Sequence, residues 1–430
     1  MYIYRKDTLP NGLRVVTTEA PHLHAAMLAV YVRAGSRHET ERTNGVSHFL
    51  EHIFFRGCER FPDGRKLNMR VEDAGGSLNG VTTRDHGYYY TPIHPKQLAV
   101  GVETLGAMLH RPLIKEIDIE REVILEEMLD EVDEDGRDID VDNLAKRAAY
   151  GAHPLSFKIA GTSDSVKGIT RDDLAAHHAR FYAARNMVLS VAGPVKHEAV
   201  MEEAFRIFGA FPEGLLAVDA PPPAWPKGPH LQYVEHEESQ TEFRFSFPVP
   251  PENHPDFPAY MVLRRILDDG LSSRLQVNIV DRKGLAYSVH AGFDTYSDGG
   301  AFEFDIACAH AKVPAAAEEL LRTLGELTAV DAPSDEIDRA KIRYRMGLDF
   351  SLDSAADLAG WFGGTEMFYP PETFEERAAK VDAVTAADVR RVAAQTFRKE
   401  RLLVSAVGHL DRATHKQFEQ IVRNASELPD

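Results

Sequence analysis

The stretch ITRDDLAAHHARFYAARNMVLSVAG, Ile169 to Gly193, has a counterpart in VTAADVRRVAAQTFRKERLLVSAVG, Val384 to Gly408, at a constant offset of 215 positions without a gap. Thr170 and Thr385 stand where an N-cap is needed, and Leu174 and Val389 open an apolar helical face. MVLSVAG and LLVSAVG then read as buried strands closed by glycine. The offset is half of the 430 residues, so the chain reads as two copies of one helix-and-strand unit.

Between the copies, prolines gather at Pro212, Pro221, Pro222, Pro223, Pro226 and Pro229, where fixed backbone angles and missing donors disfavour regular structure. The expected organisation is a domain over 1–211, a Pro-rich linker over 212–230 and a homologous domain over 231–430. Strands are predicted over 25–32, 80–91, 241–247 and 301–308 from β-branched and aromatic content. Helical periodicity marks 45–55, 95–108, 117–132 and 313–327. The fold class is α+β, each domain a mostly antiparallel sheet with helices packed on one face.

Hydrophobic residues at 43% and charged residues at 27% exclude a disordered or fibrous chain. With 49 Lys and Arg against 67 acids the formal charge is -18, which disfavours a phosphate backbone as partner. Fourteen of the acids fall between Glu116 and Asp142, against Arg121 and Arg137 alone. Cys58 and Cys308 form no CxxC, so neither a disulfide framework nor a cysteine metal site is expected. The opening residues lack the apolar stretch of a signal peptide and no run suits a bilayer span, so a cytoplasmic protein with no membrane partner is expected. Walker A, GxGxxG and GxSxG motifs are absent.

The sharpest local signal is His48-Phe49-Leu50-Glu51-His52, an HxxEH on a predicted helix whose i, i+3 and i+4 side chains share one face. Two imidazoles and a carboxylate on one face suit Zn2+, whose catalytic sites keep three protein ligands and an open position for water. His48 and His52 are two such ligands, and Glu51 is close enough to take a proton from the water. On the later helical stretch IEREVILEEMLDE, Glu120 and Glu127 are seven apart and share a face, with Val123 and Ile124 read onto it, while Glu126 points about 100° away. Glu127 is the third ligand, because a carboxylate on an apolar face needs a cation. Adding 215 to positions 48–52 gives Leu263 to Leu267, LRRIL, so only the first copy is expected to hold metal. His22, His24, His177 and His178 have no carboxylate at ligand spacing and are expected at the surface.

HFLEHIFFRG, EREVILEEM and the 74 residues between His52 and Glu127 resemble the inverzincin metallopeptidases, which include pitrilysin, insulin-degrading enzyme and the mitochondrial processing peptidase. The chain is most similar to the short, two-domain processing-peptidase branch, along essentially its whole length. The resemblance implies an endopeptidase that binds zinc through His48, His52 and Glu127, with Glu51 as general base and Glu120 as the acid behind the ligands. It implies that GGSLNG, with Gly76 and Asn79, begins an edge strand on which a peptide substrate adds. Gly284-Leu285-Ala286-Tyr287 is similar to a segment whose tyrosine holds substrate and stabilises the oxyanion. Seven residues before that tyrosine the family commonly has arginine; this chain has Val280, with Arg282 nearby as a substitute. Two chains facing each other around a chamber, as a homodimer or with a related subunit, are also implied. The rival expectation is a subunit whose partner supplies the Arg and Tyr, or a non-catalytic docking subunit.

Overall fold

A computed structural model describes residues 2–430. Eleven strands are present among the described residues: β1 (Ile3–Thr8), β2 (Arg14–Glu19), β3 (Ala26–Val32), β4 (Asn79–Thr82), β5 (Gly87–Ile93) and β6 (Met187–Gly193). They continue with β7 (His230–Glu235), β8 (Thr241–Val249), β9 (Ser288–Tyr296), β10 (Gly299–Cys308) and β11 (Leu403–Gly408). The helices of the first half are α1 (Val46–Phe54), α2 (Gly64–Glu72), α3 (Leu98–His110), α4 (Ile117–Glu127), α5 (Val141–Tyr150), α6 (Ser163–Gly168), α7 (Arg171–Phe181) and α8 (His197–Phe208). Those of the second are α9 (Phe257–Leu267), α10 (Val313–Ala329), α11 (Ser334–Ser351), α12 (Ala355–Ala359), α13 (Phe374–Asp382), α14 (Ala386–Thr396) and α15 (Arg412–Asn424).

The repeated stretches fold alike down to their caps. Thr170 and Thr385 each accept from the N–H three residues on, Asp173 and Asp388, at 3.2 Å. Those two carboxylates accept the threonine N–H in return at 3.0 Å, so two orphan donors are satisfied at each helix start. Each helix then leads into a fully buried strand, β6 or β11.

The strand order of the first sheet is β1-β2-β6-β3-β5-β4 and of the second β7-β11-β8-β10-β9. Without β1 the two orders are equivalent strand for strand. One pair in each is parallel, β2 with β6 and β7 with β11, and the others are antiparallel. The α+β class with two related sheets holds.

The chain packs as two units. The first comprises 1–128, 157–220 and 349–372, and the second 129–156, 221–348 and 373–430. In the first, α3 and α8 pack on one face of the sheet, and α12 with the turn over 360–364 covers the centre of the sheet. There Ser190 on β6 donates to the Ala359 carbonyl at 3.0 Å. In the second unit, α15 packs on β7 and α5 on β8 and β11. The Lys146 ammonium of α5 is buried between Glu303, 2.8 Å away, and Asp294 at 2.5 Å. Each sheet thus has a helix from the other half of the sequence, which explains why β6 and β11 read as apolar throughout rather than alternating.

Other boundaries depart from expectation. The strand predicted over 80–91 is a hairpin, β4 and β5, turned at Thr83–His86, where the Thr83 N–H donates to the His86 carbonyl at 2.8 Å. Thr83 Oγ1 and Asp85 stabilise the turn locally, so side-chain bonding wins over β propensity there. The helix predicted over 117–132 ends at Glu127 in a tighter turn, Met128–Glu131.

Candidate metal centre

α1 turns Val46, Phe49, Leu50, Ile53 and Phe54 into the core, each essentially unexposed. Burial of side chains this size contributes about 1.5–3 kcal/mol each, which fixes the helix's rotation and leaves His48, Glu51 and His52 together on its other side. Its first turn is held by an acid from outside the helix. The buried Glu39 carboxylate accepts from the N–H groups of Gly45 at 2.7 Å and Ser47 at 2.8 Å, and from the Asn44 amide at 2.9 Å. Gly45 is left-handed, φ 92°, and a Cβ there would lie 2.5 Å from the Ala160 carbonyl oxygen, so only glycine fits.

α4 buries Glu120 and Ile124. Val123 is exposed, contrary to the expectation that it shares their environment: the buried face is centred between 120 and 124, and Val123 lies about 80° round from that centre, on the solvent flank. His48 Nε2 and His52 Nε2 lie 3.7 and 3.6 Å from the same oxygen of Glu127, whose side chain is 48% exposed. One donor atom from each of the three residues falls within 4.8 Å of the others. His52 Nδ1 is 2.9 Å from Glu120, which also pairs with the Arg56 guanidinium. A proton on Nδ1 facing that carboxylate leaves the Nε2 lone pair free. Burial, and His52 beside it, push the His48 imidazole down to about 4, which keeps it neutral as a ligand must be.

Glu51 takes a hydrogen bond from the Thr82 hydroxyl at 2.5 Å. Burial raises its carboxyl above the usual range, while the Thr82 bond and His52 pull it back. β4 passes close by: a Cβ on Gly80 would lie 3.0 Å from Glu51 Cγ. A cavity of about 700 Å³ opens here, lined among others by Glu51, His52, Phe55, Arg56, Asn79, Gly80 and Glu120. Among the described residues the outer edge of β4 has no partner strand. Asn79 opens β4 opposite Tyr90, its amide donating to the Ser77 carbonyl at 3.2 Å. A Cβ on Gly76 would lie 2.5 Å from the Pro92 carbonyl oxygen, so the approach to β4 requires glycine.

The first unit therefore brings together His48, Glu51, His52, Glu120, Glu127 and Asn79. Tyr287 and Arg282 belong to the second unit, where Tyr287 is 82% exposed just before β9 and Arg282 is exposed just after a turn of π-helix over 276–281. Of the four histidines expected at the surface, His177 is a correction: it is buried against α1, with Nε2 3.1 Å from the Ser47 hydroxyl. Its position on the core face of α7, beside Leu174 and Phe181, is the reason. His178 is half-buried and meets the Leu109 carbonyl at 2.7 Å. Sequence reasoning missed Glu39, Arg56 and Thr82. Arg56 sits four residues after His52, a helical spacing that would have found it; Glu39 and Thr82 arrive through the fold alone.

The donor set suits zinc: two imidazole nitrogens, one carboxylate and an acid behind the second imidazole. Among the described residues no helix is long and apolar enough to cross a membrane. Residues 14–163 match the family described as insulinase (peptidase family M16), and residues 168–344 match the peptidase M16 inactive domain. A Mycobacterium leprae protein named an uncharacterized zinc protease is 30% identical over 92% of this chain and 89% of its own length. A probable mitochondrial-processing peptidase subunit beta of Arabidopsis thaliana is 30% identical over 97% of this chain and 80% of its own. Among solved structures, a Helicobacter pylori protease superposes with a TM-score of 0.86 at 23% identity, covering 95% of this chain and all of that one. With both halves matched and relatives aligned along nearly the whole length, the chain belongs to peptidase family M16.

Proposed function

We propose that this chain is a zinc-dependent endopeptidase that takes its peptide as an extended strand along β4. The observation that carries the reading is the meeting of His48, His52 and Glu127, with Glu51 one residue away and an unpaired strand edge alongside. His48, His52 and Glu127 would hold the zinc, which when bound supplies Lewis acidity toward water and a peptide carbonyl. Glu120 and Arg56 hold the His52 ring in the tautomer that presents Nε2. Thr82 fixes one oxygen of Glu51, and the other takes the proton of the attacking water and returns it to the leaving amine. The outward N–H and C=O groups along the edge of β4 pair with the peptide backbone and align the scissile bond. Tyr287 acts across the chamber, donating to the oxyanion at the facing chain's site, and Arg282 stands in for the arginine that Val280 replaces.

The catalytic role belongs to residues 1–211, joined through 212–230 to the non-ligating 231–430. Two such chains enclose the substrate in a chamber, in the cytoplasm, where Cys58 and Cys308 stay as buried thiols. Val280 favours one variant of this reading, in which a related subunit completes the site and cleavage appears only on mixing. The test is hydrolysis of a quenched peptide library by the purified chain, with and without chelator and zinc add-back. Cleavage indifferent to chelator would end the metallopeptidase reading.

A further inference from the structure

The two sheets differ at one edge. In the first, β1 lies antiparallel on β2, from Ile3 opposite Glu19 to Thr8 opposite Arg14. The strand equivalent to β2 in the second sheet is β7, since each is the parallel neighbour of its repeat strand, Arg14 to Glu19 beside Val188 to Gly193 and His230 to Glu235 beside Leu403 to Gly408. Among the described residues nothing corresponds to β1 there: β7 ends the sheet. The His230 and His236 N–H groups point inward to the Leu402 and Gly408 carbonyls, 3.1 Å each. By alternation, the N–H groups of Leu231, Tyr233 and Glu235 point outward, and they have no backbone partner among the described residues. The opposite edge of this sheet is closed: on β9 the Ala291 N–H donates to Asp268 at 2.9 Å, and the Val289 carbonyl accepts from Gln276 at 2.8 Å.

We propose that β7 is a docking edge for an extended basic peptide segment, which adds antiparallel to it as β1 adds to β2. Three features select this occupant. The unpaired edge calls for a strand. A groove of about 420 Å³ between β7 and α15, walled by Leu231, Tyr233, His415 and Val422, receives alternate side chains on one face. The exposed acids Glu235, Glu237 and Glu238 crowd the end where the incoming strand begins, so its first residues carry positive charge. β1 already shows the pattern, with Arg5 reaching Glu198 of α8. This docking does not rest on the metal centre.

The experiment uses the full chain carrying Glu51→Gln, so that the probe survives, and a fluorescein-labelled peptide of alternating lysine and valine. Leu231→Pro removes an outward donor without touching the β7–β11 ladder, and Glu235→Lys with Glu237→Lys and Glu238→Lys reverses the charge at exposed positions. Each variant is expected to weaken binding by roughly tenfold, the worth of one or two backbone hydrogen bonds or of the lost charge complement. Hydrogen exchange is expected to slow at Leu231, Tyr233 and Glu235 when the peptide is present. Unchanged affinity in the charge-reversed chain, or peptide protection confined to Asn79–Thr82, overturns the proposal. Protection at β7 that grows with protein concentration and needs no peptide also overturns it, since the occupant is then a second copy.

Discussion

α1 and α9 occupy the same place in two sheets of the same strand order, α1 following β3 and preceding the edge strand β4, α9 following β8 and preceding the edge strand β9. In the second unit the helix closes that edge. Arg264 of α9 donates to the Ala291 carbonyl of β9 at 3.3 Å, and Asp268 just beyond α9 accepts the Ala291 N–H. In the first unit the corresponding edge, β4, is four residues long, meets its helix where Glu51 accepts from Thr82, and has no partner strand among the described residues. One scaffold therefore serves either as a tied sheet edge or as an edge without a partner strand beside the cluster of His48, His52 and Glu127. The choice lies in a few side chains on one helix face rather than in topology.

The comparison breaks most sharply at Glu51. Glu51→Gln removes a base while sparing the three ligands, so peptide hydrolysis should fall by about 10³-fold with bound zinc unchanged, measured by a quenched substrate and by metal analysis of the purified protein. His48→Ala should lose metal and activity together. A Glu51→Gln chain that still cleaves would show that the open edge and the ligands work without this carboxylate. Behind the ligands, Glu120→Gln leaves His52 without its charged acceptor, and zinc affinity should fall about 10–100-fold in a competitive chelator titration. No loss would mean that Glu120 serves only its pairing with Arg56.

How the helix is anchored separates the two units more finely. α9 has proline in its first turn, which removes a donor that would otherwise need a partner, whereas α1 depends on Glu39 to accept two backbone N–H groups. Glu39→Ala strands those buried donors, at about 1–3 kcal/mol each, so it should lower the melting midpoint clearly and weaken zinc binding with it. Asp256→Ala, before α9, loses only an exposed pairing with Arg391 and should cost less than about 1 kcal/mol. Equal losses from both variants, in parallel thermal melts, would remove this distinction.

The repeat was legible because cap chemistry and buried strands are written in consecutive residues, Thr170 with Asp173 and Thr385 with Asp388. The first part of the candidate site was legible because a helix converts spacing into direction, so His48, Glu51 and His52 declare a common face. What consecutive residues do not encode stayed hidden. β1, with the sequence IYRKDT, has too little apolar alternation to read as a strand and is defined by pairing with β2. The placement of α5 on the second sheet and α12 on the first is a long-range packing outcome, and no local periodicity distinguishes the two sheets. Glu39 is nine residues from His48 and reaches the α1 start only through the turns between.

A further effect concerns acid stability, and it again falls on the first unit. The Asp219 side chain is buried, and burial alone would raise its carboxyl; hydrogen bonds from His38 and Arg33, with the charges of Arg33 and Arg37, outweigh burial and hold it well below the usual carboxylate range. A carboxyl depressed in the folded state adds stability at pH values above its unfolded value, about 4, and gives it up as pH falls toward the folded value. Asp219 ties residues 212–220 to the first unit, where the Ala184 and Arg185 N–H groups also bind the Pro212 and Glu213 carbonyls. Asp219→Asn should therefore destabilise the chain by on the order of 1 kcal/mol at neutral pH, and the gap from the unmodified chain should narrow below about pH 4. Paired melts across pH 3 to 7 decide it. A gap that stays constant with pH would assign the cost to lost packing and leave the first unit's extra anchor without an ionic basis.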